Sequence, residues 1–209
     1  MKGTVWKERL GNFWFYHKWH ALIVLVVVAI LTFFTVQCAT RTKADYSVVL
    51  YLNQSVSLEQ RIALQEMLSQ YGEDINGDGE VEVEVFDVSF REDETNTNVI
   101  SASRIKAIGQ MSLSDSMIYI TDSTRFPEYM EEEYRLYQQL DWLPDQDHYA
   151  WNWKGSDLQK TLSEFGLPKT MYFSLRRVEG TAVAQDAGVE ERLKQSEQLL
   201  RSVVSSSTP

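Results

Sequence analysis

The chain has 209 residues and a formal charge of −10 at pH 7. The first 20 residues hold four Lys or Arg and one Glu (+3), so the other 16 basic and 29 acidic residues give −13. Such an acidic region is a poor match for nucleic acid, which needs a basic surface. A hydrophobic content of 44% excludes a wholly disordered chain and predicts a packed core.

An uncharged segment near the N-terminus has the length of a membrane span. Residues 21–36 read ALIVLVVVAILTFFTV, and uncharged neighbours extend the segment to residues 19–39. About 20 apolar residues cross a bilayer as a helix, so the pattern predicts a transmembrane helix over 19–39. Four basic residues precede it and two follow closely. The positive-inside rule therefore predicts that residues 1–18 are a cytoplasmic juxtamembrane segment and that the C-terminal domain is extracellular, in a single-pass cell-membrane protein.

Two other interpretations of this segment are a cleaved signal peptide and a lipoprotein signal that uses Cys38. The basic region before the apolar run is long for a signal peptide, and no A-x-A site follows. A lipoprotein signal needs a small residue before its cysteine, where this chain has Gln37. Both observations favour a retained helix. Cys38 is the single cysteine, so no internal disulfide can form.

Beyond a linker at 40–45, strand-like and helix-like patterns alternate over residues 46–204, and this predicts one α/β domain with a largely parallel sheet. Ser57 with Gln60 fits a capping box that starts the first helix. Residues 205–209 are expected to be a disordered tail. The predicted strands are 46–52, 81–88, 117–121 and 171–175; the predicted helices begin at Ser57 and cover 99–111, 127–140, 156–165 and 189–204.

The sequence DINGDGEV at residues 74–81 fits the beginning of a calcium-binding loop. Calcium takes many oxygen ligands, and acidic or amide side chains at alternate positions supply them. Position twelve of an EF-hand would be Val85 in a strand, so the loop is not an EF-hand. A helix–loop–strand site with a carboxylate from elsewhere in the chain fits better, and the alternative is a tight Asn/Asp/Gly turn without metal. The predicted Ca²⁺ ligands are Asp74, Asn76, Asp78, the Glu80 carbonyl and Glu82.

A second polar cluster contains Asp145, Asp147 and His148 and could form an acidic or metal site of an enzyme that acts on the cell envelope. A solvated turn after Pro144 is the simpler interpretation. The aromatic residues of 126–153 fit either a binding face or part of the core, and their helical spacing favours the core. The chain contains no Walker loop, no G-x-G-x-x-G and no G-x-S-x-G motif.

Several segments resemble known bacterial proteins. FWFYHKWH before the apolar run, then DYSVVLYL, YGEDINGDGEVEVEV and SDSMIYITD, resemble uncharacterised single-pass membrane proteins of clostridia-like bacteria. The acidic loop resembles the calcium loop of periplasmic sugar-binding proteins, which borrows a remote glutamate. The section from SDSMIYITDSTRF to YQQLDWL also resembles one lobe of extracellular solute-binding proteins, although the domain is too short for two lobes. The resemblance implies a binding domain outside the cell.

The sequence as a whole predicts a membrane-anchored extracytoplasmic binding or accessory module that is calcium-stabilised and not catalytic. Its expected partners are the membrane itself and a membrane or cell-wall protein. A cell-envelope enzyme using residues 145–148 is the alternative.

Overall fold

The computed structural model of the chain describes residues 19–20, 22–35, 43–91, 97–131, 135–143 and 148–207. The chain divides into two compact units, Met1–Lys43 and Ala44–Pro209. The second unit, called the α/β unit below, carries all the strands described here. The predictions for residues 1–18 and Cys38 lie outside the described residues.

The first unit is described only as a helical segment over residues 19–20 and 22–35. Within the described part of the chain, no helix is both long and apolar enough to cross a membrane. The prediction of a transmembrane helix over 19–39 is therefore wrong. The described helical residues of this segment are 19–20 and 22–35, and residues 21 and 36–39 of the predicted span lie outside the described residues.

The α/β unit contains a five-stranded sheet and four α-helices. Its sheet order is β2-β1-β3-β5-β4. The strands are β1 (Tyr46–Tyr51), β2 (Val83–Asp87), β3 (Ile118–Asp122), β4 (Trp151–Asn152) and β5 (Met171–Leu175). The helices are α1 (Leu58–Ser69), α2 (Thr97–Ser112), α3 (Asp157–Ser163) and α4 (Val189–Ser207), and two short 3₁₀ turns cover Phe126–Tyr129 and Ala182–Gln185. Helix α4 continues to Ser207, so residues 205–207 of the predicted tail are helical, and residues 208–209 lie outside the described residues.

The sheet is mixed, so the prediction of a largely parallel sheet is wrong. Strand β1 pairs in parallel with β2 and β3, whereas β5 pairs antiparallel with both β3 and β4. The parallel half follows from the helical crossovers between β1, β2 and β3. Strand β4 has two residues. The chain then passes through α3 and comes back as β5, which runs antiparallel to β4.

Both faces of the sheet are covered, which explains why the strands are apolar without strict alternation. On one face, Val48 and Leu50 of β1 pack in a cluster with residues of α1, α3 and α4. On the other face, Val49 and Tyr51 pack in a second cluster with Ala107 and Met111 of α2. Helices α1 and α2 therefore lie on opposite faces of the sheet.

The helix predicted over 127–140 is wrong. Among residues 126–131 and 135–143, which the structure describes, the 3₁₀ turn Phe126–Tyr129 is the one helical element. Tyr137 forms an antiparallel bridge with Arg176, supported by a 2.9 Å bond from the Gln138 amide to the Leu175 carbonyl. This backbone pairing satisfies the peptide groups beside β5 in place of a helix.

The capping box that starts α1 is confirmed. The Ser57 hydroxyl accepts a hydrogen bond from the Gln60 amide at 3.2 Å, and the Gln60 side-chain oxygen accepts one from the Ser57 amide at 2.8 Å. Two backbone donors at the start of the helix are satisfied in this way. The helix therefore begins where the sequence predicts.

Candidate calcium loop and the neighbouring polar cluster

The predicted calcium ligands lie together in an exposed loop between α1 and β2. The Asp74 carboxylate accepts hydrogen bonds from the amides of Gly77, at 2.6 Å, and Gly79, at 2.8 Å. Both glycines have positive φ, at 77° and 93°, a region that other residues rarely adopt. The backbone of the loop therefore folds around the Asp74 carboxylate.

The other predicted ligands bend the loop locally. The side-chain oxygens of Asn76 and Asp78 each accept the amide two residues further on, at 2.9 and 3.0 Å. Such contacts are typical of Asx turns. The Glu80 amide donates to the Asp78 side chain. Glu82 lies just before β2, and its carbonyl accepts a hydrogen bond from the Tyr46 amide at 3.2 Å. The predicted strand over 81–88 is thus shortened to Val83–Asp87.

Asp45 is a residue of this site that the sequence did not identify. One of its carboxylate oxygens accepts the amides of Ile75 and Asn76, at 2.8 and 3.0 Å. The other accepts the Glu82 amide at 2.8 Å. Asp45 immediately precedes β1, and the β1–β2 register, in which Tyr46 is opposite Val83, brings it to both ends of the loop. It therefore ties the two ends of the loop together.

Among the described residues, which include the whole loop, no group of three or more His, Cys, Asp or Glu side chains is arranged to hold a metal ion. The loop carboxylates instead bond the backbone. Each carboxylate oxygen has two lone pairs, and the contacts of Asp74 leave one on each oxygen. The loop is therefore a turn stabilised by its own acidic side chains, with acceptor capacity still available.

A second polar cluster lies at the carboxyl ends of the neighbouring strands β1 and β3, where open α/β sheets commonly bind ligands. The Asp122 carboxylate accepts the amides of Asn53, Thr124 and Arg125 at 2.6–2.9 Å. The Arg125 side chain is fully buried, 2.8 Å from Glu128 and 2.9 Å from the Phe90 carbonyl. These contacts tie the Asp122 carboxylate and the Arg125 guanidinium to neighbouring groups of the unit.

The other predicted functional groups fall into two sets. Asp145 and Asp147 lie outside the described residues, whereas His148 is exposed and accepts the Leu140 amide through its backbone carbonyl. The aromatic segment mainly joins the core. Phe126 stacks on Tyr137 with ring centroids 5.3 Å apart, and Trp153 is fully buried.

The α/β unit thus presents a mixed sheet with an acidic, backbone-tied loop at the amino end of β2. No family profile matches the chain, and no curated protein or solved structure matches it at a significant level.

Proposed function

We propose that this chain is a non-catalytic binding or accessory module that acts outside the cell, is held at a membrane, and is stabilised by Ca²⁺ bound at the loop of residues 74–82. The observation that carries the proposal is the pair of hydrogen bonds from the Gly77 and Gly79 amides to Asp74. Bonds of this kind orient a carboxylate before a metal arrives, as the outer shell of a metal site does.

Charge at the loop supports the same proposal. Asp45 joins the predicted ligands and brings a fifth carboxylate to one exposed segment, with Asp74, Asp78, Glu80 and Glu82. Negative charges gathered in one loop repel each other, and a bound divalent cation relieves that repulsion. Ca²⁺ fits better than Mg²⁺ because the available oxygens are irregularly placed and calcium accepts flexible coordination.

We expect Ca²⁺ to raise the melting temperature of the full-length protein in detergent. A site with a Kd of about 0.1–1 mM, typical of extracellular modules, would add about 1.4–2.7 kcal/mol at 10 mM calcium. For a unit of this size that corresponds to roughly 3–10 °C. Thermal unfolding followed by circular dichroism, with and without calcium, measures the shift.

Asp78→Ala should abolish the calcium-dependent shift and leave the melting temperature without calcium nearly unchanged, because the one described contact of the Asp78 side chain is with the Glu80 amide. Asp115→Ala is the matched control, since Asp115 is 70% exposed and distant in sequence from the loop. An equal shift in wild type and Asp78→Ala would contradict binding at this loop.

Attachment to a membrane is supported by the apolar surface of the N-terminal helical segment. Side chains at residues 22–34 are exposed, among them Leu25 at 66% and Leu31 at 60%. A contiguous apolar surface of this size is rare on soluble proteins and marks a membrane or protein contact. The low charge of the segment favours a membrane.

We expect Leu25→Lys combined with Leu31→Lys to move most of the protein from the membrane fraction to the soluble fraction after cell disruption. Burial of apolar surface contributes about 25 cal/mol per Å², and two lysines remove much of it from a short segment. Leu58→Lys with Ile105→Lys is the matched control, because both residues are exposed on the α/β unit. If the segment variant still sediments with membranes as wild type does, the proposed attachment is wrong.

A further inference from the structure

Strand β2 forms an open edge of the sheet. It is the first strand in the order β2-β1-β3-β5-β4, and among the described strands it pairs only with β1. Edge strands present peptide N–H and C=O groups that another strand can bond. The pairing of β2 with β1 decides which of its peptide groups remain available.

Alternate residues of β2 turn their peptide groups away from the sheet. The Val88 amide bonds the Leu50 carbonyl of β1 at 2.9 Å, so even-numbered residues face β1 and Val83, Val85 and Asp87 face outward. Side chains from the flanking helices support this assignment. Gln65 of α1 donates to the Val83 carbonyl at 2.8 Å, and Lys106 of α2 donates to the Asp87 carbonyl at 2.6 Å.

Val85, between these two covered carbonyls, has no such contact. No side chain in the described part of the chain bonds its outward N–H or C=O. Side chains of the two helices thus bond the outward carbonyls at both ends of β2, and the outward groups of Val85 in the middle have no such partner in the described part of the chain. This is the geometry needed for a short added strand rather than for a long one.

A groove runs along the same edge and has a volume of about 320 Å³. Residues 84–88 of the β2 segment form its floor, Arg61 and Gln65 of α1 line one wall, and Lys106 and Gln110 of α2 line the other. Since α1 and α2 lie on opposite faces of the sheet, one cation stands above the edge and the other below it.

Both cations of the groove lack a carboxylate partner. Neither Arg61 nor Lys106 forms an ion pair with any described residue, although the acidic side chains of Glu84 and Asp87 also line the groove. An arginine can take a carboxylate through two parallel hydrogen bonds, and a lysine through one. The groove therefore places two cations beside the Val85 peptide unit, which has no outward partner among the described residues.

We infer that the β2 edge binds an extended acidic peptide segment of a partner protein by strand addition. The inference rests on the proposed binding role and names its partner class. Successive side chains of an added strand point to opposite faces. Two adjacent acidic residues therefore reach Arg61 and Lys106 at once, whereas acidic residues two positions apart reach only one wall.

The test uses the full-length protein in detergent with three fluorescein-labelled peptides, TVTEEVT, TVETEVT and TVTKKVT. TVTEEVT should bind at least tenfold more tightly than TVTKKVT and several-fold more tightly than TVETEVT. Arg61→Glu with Lys106→Glu should reverse the preference between the glutamate and lysine peptides. Lys154→Glu with Lys169→Glu makes the same change in net charge on exposed residues outside the groove and should leave the order unchanged.

Amide hydrogen exchange gives an independent readout of strand addition. The Val85 amide should become at least tenfold more protected when TVTEEVT is added, and the inward-facing Phe86 amide should change much less. Equal affinity for all three peptides, or no protection of Val85, would overturn the inference. Protection of Val85 that rises with protein concentration alone would assign the edge to a second copy and overturn it too. A calcium-dependent melting shift without peptide binding would refute this inference and leave the calcium site standing.

Discussion

Arg125→Met is expected to destabilise the α/β unit by about 3 kcal/mol, because it removes a fully buried cation from a cluster of fixed partners. The guanidinium bonds Glu128 and the Phe90 carbonyl, and its carbon lies 4.2 Å from the Phe90 ring centroid and 4.8 Å from that of Tyr51. Its loss leaves the Phe90 carbonyl unbonded and opens space between two rings.

The measurement is urea unfolding followed by tryptophan fluorescence, and a loss of 3 kcal/mol also corresponds to a melting temperature lower by roughly 6–12 °C. Arg201→Met is the matched control. The Arg201 side chain is 50% exposed and pairs with Glu197 on the surface of α4, so its loss should cost at most about 1 kcal/mol. If the two variants have the same stability, the buried cluster does not hold the carboxyl ends of β1 and β3 together.

The second large effect is expected at alkaline pH. Burial raises the pKa of Tyr119 from its ordinary 10.0 to about 12 and raises the pKa of Tyr51 and Tyr137 further. The unfolded chain therefore loses these protons near pH 10, while the native state retains them. The resulting stability is complete below pH 10 and is lost as the pH rises above it.

Each tyrosine that is ionised only in the unfolded state lowers stability by about 1.4 kcal/mol per pH unit, so Tyr51, Tyr119 and Tyr137 together lower it by about 4 kcal/mol per pH unit above pH 10. Burial also raises the pKa of Tyr46 and Tyr129, which add to the slope. Urea unfolding at pH 8, 9, 10 and 11 measures the slope. Tyr119→Phe should reduce the slope by about 1.4 kcal/mol per pH unit, whereas Tyr71→Phe, at a half-buried position, is the control. Stability that stays constant to pH 11 would contradict the burial of these hydroxyls.

The sequence predicted the central strands well because their burial on both faces leaves a local pattern. Strands β1, β3 and β5 lie within one residue of the predicted 46–52, 117–121 and 171–175. Strand β4 has two residues, too few for a pattern, and the bridge from Tyr137 to Arg176 joins residues far apart in sequence. Pairings between residues far apart in sequence decide the direction of the strands. The sequence pattern alone therefore could not distinguish a mixed sheet from a parallel one.

The buried face of α2 shows the same limit. The helix predicted over 99–111 forms, but its isoleucines Ile105 and Ile108 are 72% and 59% exposed, and Ala107 and Met111 are the buried residues. The position of α2 over β1 decides which face of the helix is buried, and the spacing of apolar residues alone fits either face. The resulting groove beside β2 has no signal in the sequence.

The candidate calcium loop was predictable in part. Its side chains at alternate positions and its two glycines form a local pattern, and the structure places them in one loop. Asp45 was not predictable, because it reaches the loop only through the register of β1 against β2. A carboxylate that is distant in sequence can be assigned to such a loop only when the pairing of the strands is known.

Titration calorimetry of the full-length protein with CaCl₂ tests the central claim most directly. We expect one site per chain with a Kd between about 0.1 and 1 mM, a much weaker response to MgCl₂, and no binding heat for Asp78→Ala. An absence of heat at millimolar calcium in the wild-type protein would contradict the account and leave residues 74–82 as a turn without a metal.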